Sequence, residues 1–222
     1  MDKKRVAAEA SVELVRDGMV VGLGTGSTAN YAIEGLGRKV TDGLRIKGVA
    51  TSKATEQLAR KVGIPLITLE EAGEVDLTID GADEVDPRLN LIKGMGGALL
   101  REKIVAFASK EEVIIVDDSK LVDALGSKSP LPVEVVPFGH ARTKESLQAL
   151  GCKAVLKGGS KPFITDNGNL IYECRFELIQ DAEMLEAEID MIPGVVESGL
   201  FIDLATKVIV ASAKGVEVLS KN

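Results

Sequence analysis

Apolar residues follow two rhythms over the first half of the chain. Short runs at residues 19–23, 46–50, 65–69, 75–79 and 113–116 read as buried strands. Between them the spacing lengthens. Ala29, Ala32, Ile33 and Leu36 fall at i, i+3, i+4 and i+7, one buried helical stripe. Residues 7–15 and 51–62 also read as helices, and Leu100, Ile104, Phe107 and Ala108 give another helix its apolar face. Such alternation predicts an α/β fold, a mainly parallel Rossmann-like sheet with helices on both faces.

The rhythm changes at Ser127-Lys-Ser-Pro-Leu-Pro132. A strand (133–136), a helix (141–150) and a strand (153–157) follow. Residues 163–165 and 170–176 then flank Asp166-Asn-Gly-Asn169, where Asn-Gly predicts a hairpin turn. A helix over 181–191 closes the block. The pattern is that of a small α+β, ferredoxin-like domain inserted at residues 128–198. Residues 1–127 and 199–222 then form the Rossmann-like domain, with strands over 200–204, 207–211 and 216–219 completing it.

Composition removes several function classes. Aromatics make up 3% of the 222 residues and Trp is absent, which disfavours a stacking platform for single-stranded nucleic acid. A net charge of −7 and a pI near 5.0 disfavour a phosphate-backbone partner as well. Met1-Asp-Lys-Lys-Arg5 leads into a helical pattern instead of an apolar core, and no apolar run has membrane length, so a cytoplasmic protein is expected. Cys152 and Cys174 are too few for a disulfide framework and read as reduced, small hydrophobes. The single histidine, His140, leaves no ligand pair with useful spacing, so no metal is expected, and a structural or surface role is expected for it.

Gly22-Leu-Gly-Thr-Gly-Ser-Thr28 lies between a strand and a helix, where free N–H groups favour an anion. The dinucleotide fingerprint fails, because Ser27 holds its third glycine position and no acid ends the next strand. A phosphate loop of the Walker type fails for want of a Lys-Ser/Thr pair. What remains is a monophosphate or sugar-hydroxyl site with Thr25, Ser27 and Thr28 as donors, or a tight turn with an N-cap.

Further on, Asp80-Gly-Ala-Asp-Glu-Val-Asp86 follows the strand at 75–79, and Lys93-Gly-Met-Gly-Gly97 opens a helix carrying Glu102. Carboxylates at the ends of parallel strands are where such sheets do chemistry. Asp80 and Asp83 flank Gly81-Ala82 and are candidates, whereas Glu84, Asp86, Arg101 and Lys103 read as surface charges. Magnesium on Asp80 and Asp83 is the minority alternative. At roughly 100° per residue Glu102 falls about 200° from Leu100, off the apolar stripe. It is either a favourable charge against the helix dipole or, with Lys93 and the two aspartates, part of a proton-moving site.

Taken together, Gly24-Thr-Gly-Ser-Thr28, Ser52-Lys-Ala-Thr55, Asp80-Gly-Ala-Asp83, Lys93-Gly-Met-Gly96, Arg101-Glu-Lys103, Asp118-Ser-Lys120, Leu131-Pro-Val-Glu-Val135, Asp166-Asn-Gly-Asn169 and Pro193-Gly-Val-Val196 resemble ribose-5-phosphate isomerase of the A type, in order along nearly the whole chain. One departure is Met95, where the family usually has glycine. A left-handed backbone there would strain a methionine.

The resemblance implies interconversion of D-ribose 5-phosphate and D-ribulose 5-phosphate in the pentose phosphate pathway, without a metal or other cofactor, by a homodimer or homotetramer. It makes Glu102 the base, with Asp80, Asp83 and Lys93 catalytic beside it. Thr25, Gly26, Ser27 and Thr28 resemble the ligand cradle. Gly81, Ala82, Gly94, Met95, Gly96 and Lys120 are further substrate contacts, and Lys4 reaches toward the phosphate. A carboxylate of this kind takes a proton from C2 and returns it at C1 through a cis-enediolate, whose charge an ammonium stabilises. Two other readings stay open on the residues alone: a non-catalytic sugar-phosphate sensor, and an acyl- or CoA-transferase with a glutamate nucleophile.

Overall fold

A computed structural model describes residues 2–221. In chain order the first elements are α1 (Lys3–Val12), β1 (Val20–Leu23), α2 (Ser27–Thr41), β2 (Lys47–Ala50), α3 (Lys53–Lys61) and α4 (Leu69–Ala72). Then come β3 (Leu77–Asp80), β4 (Glu84–Val85), β5 (Leu91–Ile92), α5 (Leu99–Phe107), β6 (Glu112–Asp117) and a 3-10 turn at Asp118–Lys120. The remainder is β7 (Leu131–Val135), α6 (His140–Ala149), β8 (Lys153–Leu156), β9 (Leu170–Arg175), α7 (Ala182–Asp190), β10 (Val195–Ser198), β11 (Leu200–Phe201), β12 (Lys207–Ser212) and β13 (Gly215–Ser220).

The chain divides into two compact units. The first holds residues 1–82, 101–120 and 203–222, and the second 83–100 and 121–202. The 128–198 block thus lies in the second unit, together with 83–100, 121–127 and 199–202, which the sequence pattern assigned to the Rossmann-like domain.

The first unit is built on a six-stranded sheet in the order β13-β12-β6-β3-β1-β2, parallel except for the β12–β13 pair at one edge. One face packs Ala8, Val12, Ile33 and Leu36 of α1 and α2 onto Val21, Ile79, Val113 and Ile115. The other carries α5 through Val105, with Val49 and Val75. The expected mainly parallel sheet with helices on both faces is present.

The second unit carries a four-stranded antiparallel sheet, β10-β7-β9-β8, backed by α6 and α7 through Leu147, Leu185 and Ile189. Its β7-α6-β8-β9-α7-β10 sequence is the ferredoxin-like arrangement. A small sheet, β11-β5-β4, completes it. Cys152 and Cys174 are buried here as unjoined thiols, and His140 bonds the Tyr172 hydroxyl through Nδ1 at 2.7 Å.

Three sequence expectations are corrected. Residues 65–69 give a single bridge, Gly48 to Leu66, because Thr68 caps α4 in a capping box with Glu71. Residues 163–165 form no strand; β9 instead pairs with β7 and β8, and the Asn-Gly turn only closes a loop, with the Thr165 N–H donating to the Asn169 carbonyl at 2.9 Å. Residues 200–204 do not extend the large sheet, since β11 pairs with β5.

Candidate active site

The glycine loop is shaped by the strand beside it. Asp80, at the end of β3 and fully buried, accepts the Thr25 N–H at 3.0 Å and the Gly81 N–H at 2.7 Å on the same Oδ1. Only glycine fits at position 24, where a Cβ would lie 2.1 Å from Asp80 Oδ1. Gly26 holds φ +116°, a conformation costly for other residues, and from it the chain enters α2. Asp80 is therefore an anchor of the loop as well as a carboxylate at its mouth.

The Thr25 hydroxyl lies 2.8 Å from Thr51 Oγ1, 2.8 Å from Ser52 Oγ and 3.1 Å from Thr55 Oγ1. Thr55 Oγ1 in turn donates to the Gly24 carbonyl at 2.8 Å, and Thr51 Oγ1 to the Leu23 carbonyl at 2.9 Å. These three hydroxyls brace the loop from the β2–α3 turn and the first turn of α3, a role the sequence pattern did not reveal. The Ser52-x-x-Thr55 spacing of an N-cap was the available signal, since Ser52 Oγ accepts the Thr55 N–H.

Ser27 and Thr28 open α2, whose first N–H groups form an anion-favouring end. Lys4 Nζ donates to Ser27 Oγ at 3.0 Å, so a cation is already at that helix start. Lys120 sits in the 3-10 turn after β6. Both ammonium groups act on Asp117, as does Ser119. Burial pushes the Asp117 carboxyl upward, but the Ser119 hydroxyl and N–H, with Lys120 and Lys4, outweigh it and leave the carboxyl below its usual range.

Glu102 stands in the first turn of α5 and is 4% exposed. Here the expected helix orientation is reversed. Leu99, Glu102, Val105 and Ala106 make the buried stripe, while Ile104 and Phe107 face outward at 47% and 82% exposure. The helix runs back along the sheet: Ser109, just past its end, bridges Val75, just before β3. Glu102 therefore lies toward the carboxyl ends of the strands, the edge that also bears Asp80 and the glycine loop.

In the second unit, Asp83 Oδ2 accepts the Met95 N–H at 3.0 Å. Lys93 is 2% exposed, its N–H bonds the Gly199 carbonyl at 2.9 Å, and its ammonium lies 5.3 Å from the centre of the Phe201 ring. The left-handed positions of this loop are Gly94 and Gly97, not Met95, so methionine is accommodated without strain. Gly96 completes the turn. Glu84 and Asp86 are not surface charges. Glu84 is fully buried and accepts N–H groups of Gly126, Lys128 and Ser129, and Asp86 closes the β4–β5 turn by accepting from Arg88 and Asn90. Arg101 and Lys103 are half-buried.

A cavity of about 550 Å³ also opens in the first unit, bounded by Val49, Arg60, Ile67, Leu69, Arg101 and Ile104. None of the residues expected in the site lines it. Its walls are mostly aliphatic and its charges carry both signs, a poor match to a phosphorylated sugar. No helix among the described residues is long and apolar enough to cross a membrane.

Comparison with known proteins agrees with this architecture. The family model of ribose 5-phosphate isomerase A (phosphoriboisomerase A) matches residues 47–215. Ribose-5-phosphate isomerase A of Gloeobacter violaceus is 56% identical over 98% of this chain and 95% of its own length, and that of Bacillus mycoides is 52% identical over 98% and 99%. The structure of ribose 5-phosphate isomerase A from Methanocaldococcus jannaschii superimposes with a TM-score of 0.94 at 47% identity, covering 99% of both chains. A D-ribose-5-phosphate isomerase in complex with phospho-erythronic acid gives 0.95 at 42%, covering 99% of this chain and 98% of its own. With its mainly parallel sheet, its ferredoxin-like unit and half of its positions shared along almost the full length, the chain belongs to the ribose 5-phosphate isomerase A family.

Proposed function

We propose that this protein interconverts D-ribose 5-phosphate and D-ribulose 5-phosphate through a cis-enediolate, in the non-oxidative branch of the pentose phosphate pathway. The observation that carries the reading is Glu102, a carboxylate held on the buried stripe of α5 at the carboxyl edge of a parallel sheet. Such a group is shielded from bulk water, as suits a carbon-to-carbon proton shuttle.

In this mechanism the start of α2, with Thr25, Gly26, Ser27, Thr28, Lys4 and Lys120, takes the phosphate. Asp80, with Gly81 and Ala82, orders the loop and assists hydroxyl proton transfer in the open-chain sugar. Glu102 removes the C2 proton and delivers it to C1. The Lys93 ammonium stabilises the developing negative charge on O1 and O2. Asp83, Gly94, Met95 and Gly96 orient that ammonium and bind hydroxyls. The same reading makes the protein a cytoplasmic homodimer or homotetramer that needs no metal.

The test is incubation with ribose 5-phosphate in D2O, following deuterium at C2 by NMR. The expected result is incorporation by the wild type and, for Glu102→Gln, a turnover lower by ~10²–10⁴-fold with substrate binding kept. Near-normal turnover in that variant removes Glu102 from the base role. A wild type that gives neither conversion to ribulose 5-phosphate nor incorporation would favour a sensor.

A further inference from the structure

The turn Asp166-Asn-Gly-Asn169 has no part in the chemistry above, yet a buried carboxylate is devoted to it. Glu134, on β7 and fully buried, accepts at Oε1 from Thr165 Oγ1 at 3.0 Å, Asn167 Nδ2 at 3.1 Å and Asn169 Nδ2 at 2.8 Å. Polar groups gathered on an ion in this way are rigid, since breaking any one leaves buried charge poorly satisfied. Two residues upstream of Thr165, Phe163 is tied by its N–H to the Lys157 carbonyl at 2.9 Å. The Lys157 ammonium lies 5.9 Å from the centre of the Phe163 ring and is fixed by Glu173 at 2.7 Å.

The ring so held abuts the loop that carries Lys93. A Cβ at Gly97 would lie 2.4 Å from Phe163 Cε1 and Cζ, so the ring edge and the Gly97 backbone are in direct contact. Gly97 has φ +84°, and its N–H closes the turn onto the Gly94 carbonyl at 2.9 Å. Three glycines among residues 94–97 give this segment wide conformational freedom, and a rigid wall is the simplest way to limit it. On the other side Gly94 rests on Leu99, where a Cβ would meet Leu99 Cβ at 2.8 Å.

We propose that Phe163 is a positioning residue for the isomerisation. Its ring, set by the Glu134-bound turn, fixes the course of Gly94–Gly97 and so the direction of the Lys93 ammonium and of the Met95 N–H toward Asp83. The inference rests on the reading of Lys93 as the group that stabilises the enediolate.

The experiment compares Phe163→Ala, Phe163→Leu and Lys93→Met in steady-state isomerisation, with inhibition by phospho-erythronic acid and by inorganic phosphate, and with thermal unfolding as the folding control. Phe163→Ala is expected to lower kcat roughly ten- to a hundredfold with KM nearly unchanged, the usual penalty for slight misplacement of a reacting group. Inhibition by phospho-erythronic acid should weaken in step with kcat/KM, while inhibition by phosphate stays as in the wild type. Phe163→Leu, which refills most of the space, should recover most of the loss. A ring that only fills core space would give unchanged kcat/KM in folded Phe163→Ala, or equal weakening by both inhibitors, and either result overturns the proposal, as does a Leu variant as poor as Ala. A crippled Lys93→Met beside a normal Phe163→Ala overturns this inference alone. A silent Lys93→Met overturns the site reading and this inference with it.

Discussion

Asp80 offers the sharpest separation of anchoring from chemistry, because a single oxygen, Oδ1, accepts both the Thr25 and Gly81 N–H groups. In Asp80→Ala both bonds vanish. Hydrogen bonds to a charged group are each worth about 1.5–3 kcal/mol, so the gross loss is about 3–6 kcal/mol. Thr25 and Gly81 are half-buried, so water can reach the released N–H groups, and the lower end, about 3 kcal/mol, is expected. For a chain of this size each kcal/mol is about 2–4 °C in Tm, which gives a fall of about 6–12 °C. Asp80→Asn keeps an oxygen in the same place, able to accept both bonds as a neutral group, and should lose only about 1 kcal/mol. Calorimetry on the two variants reads the anchor, and isomerisation by Asp80→Asn reads the charge: a low kcat at near-native Tm is the expected pair of results. Equal Tm for Ala and Asn, or a wild-type Tm for Ala, refutes the anchoring argument.

Met95→Gly should leave kcat close to that of the wild type, because the residue contributes its N–H to Asp83 from an unstrained backbone; a marked rise in activity would show that the side chain obstructs the loop. Asp117 makes stability pH-dependent in a stated direction. Its folded pKa lies below the ordinary value, so the stabilisation is present above the usual carboxylate range and is lost as pH falls through the depressed folded value. The stability gap between the wild type and Asp117→Asn should therefore be constant near neutrality and shrink below about pH 4, and a gap that persists into acid refutes this assignment. Exhaustive chelation should leave isomerisation intact, and a loss restored by Mg²⁺ would revive an ion on Asp80 and Asp83.

The parallel sheet and the ferredoxin-like block were legible because their signals are local: apolar runs of strand length, the i, i+3, i+4, i+7 stripe of α2, a proline-marked change of rhythm. Where the reading failed, a distant contact decided the outcome. Glu102 looked like the outer face of α5 because Leu100, Ile104 and Phe107 share a stripe, yet Val105 packs onto Val49 and Val75, and that turns the helix over. Glu84 and Asp86 looked like solvated charge, and no sequence rule reveals that three N–H groups some forty residues later converge on Glu84. Residues 163–165 have strand composition, but the partner that would make them a strand is taken, since β9 is already paired on both sides. The Thr51, Ser52 and Thr55 brace is of the same kind, three ordinary hydroxyls made purposeful by the loop they meet.

The path of the backbone through its two units has a practical corollary. Peptide bonds at 82–83, 100–101, 120–121 and 202–203 carry the chain from one to the other, so neither unit is a continuous length of polypeptide. No terminal deletion can yield one half by itself, and during synthesis the second unit lacks β11 until residue 201 is added, while the first lacks β12 and β13 until residue 220. The first unit begins before the second and receives its own last strands, β12 and β13, only after the second has all of its strands.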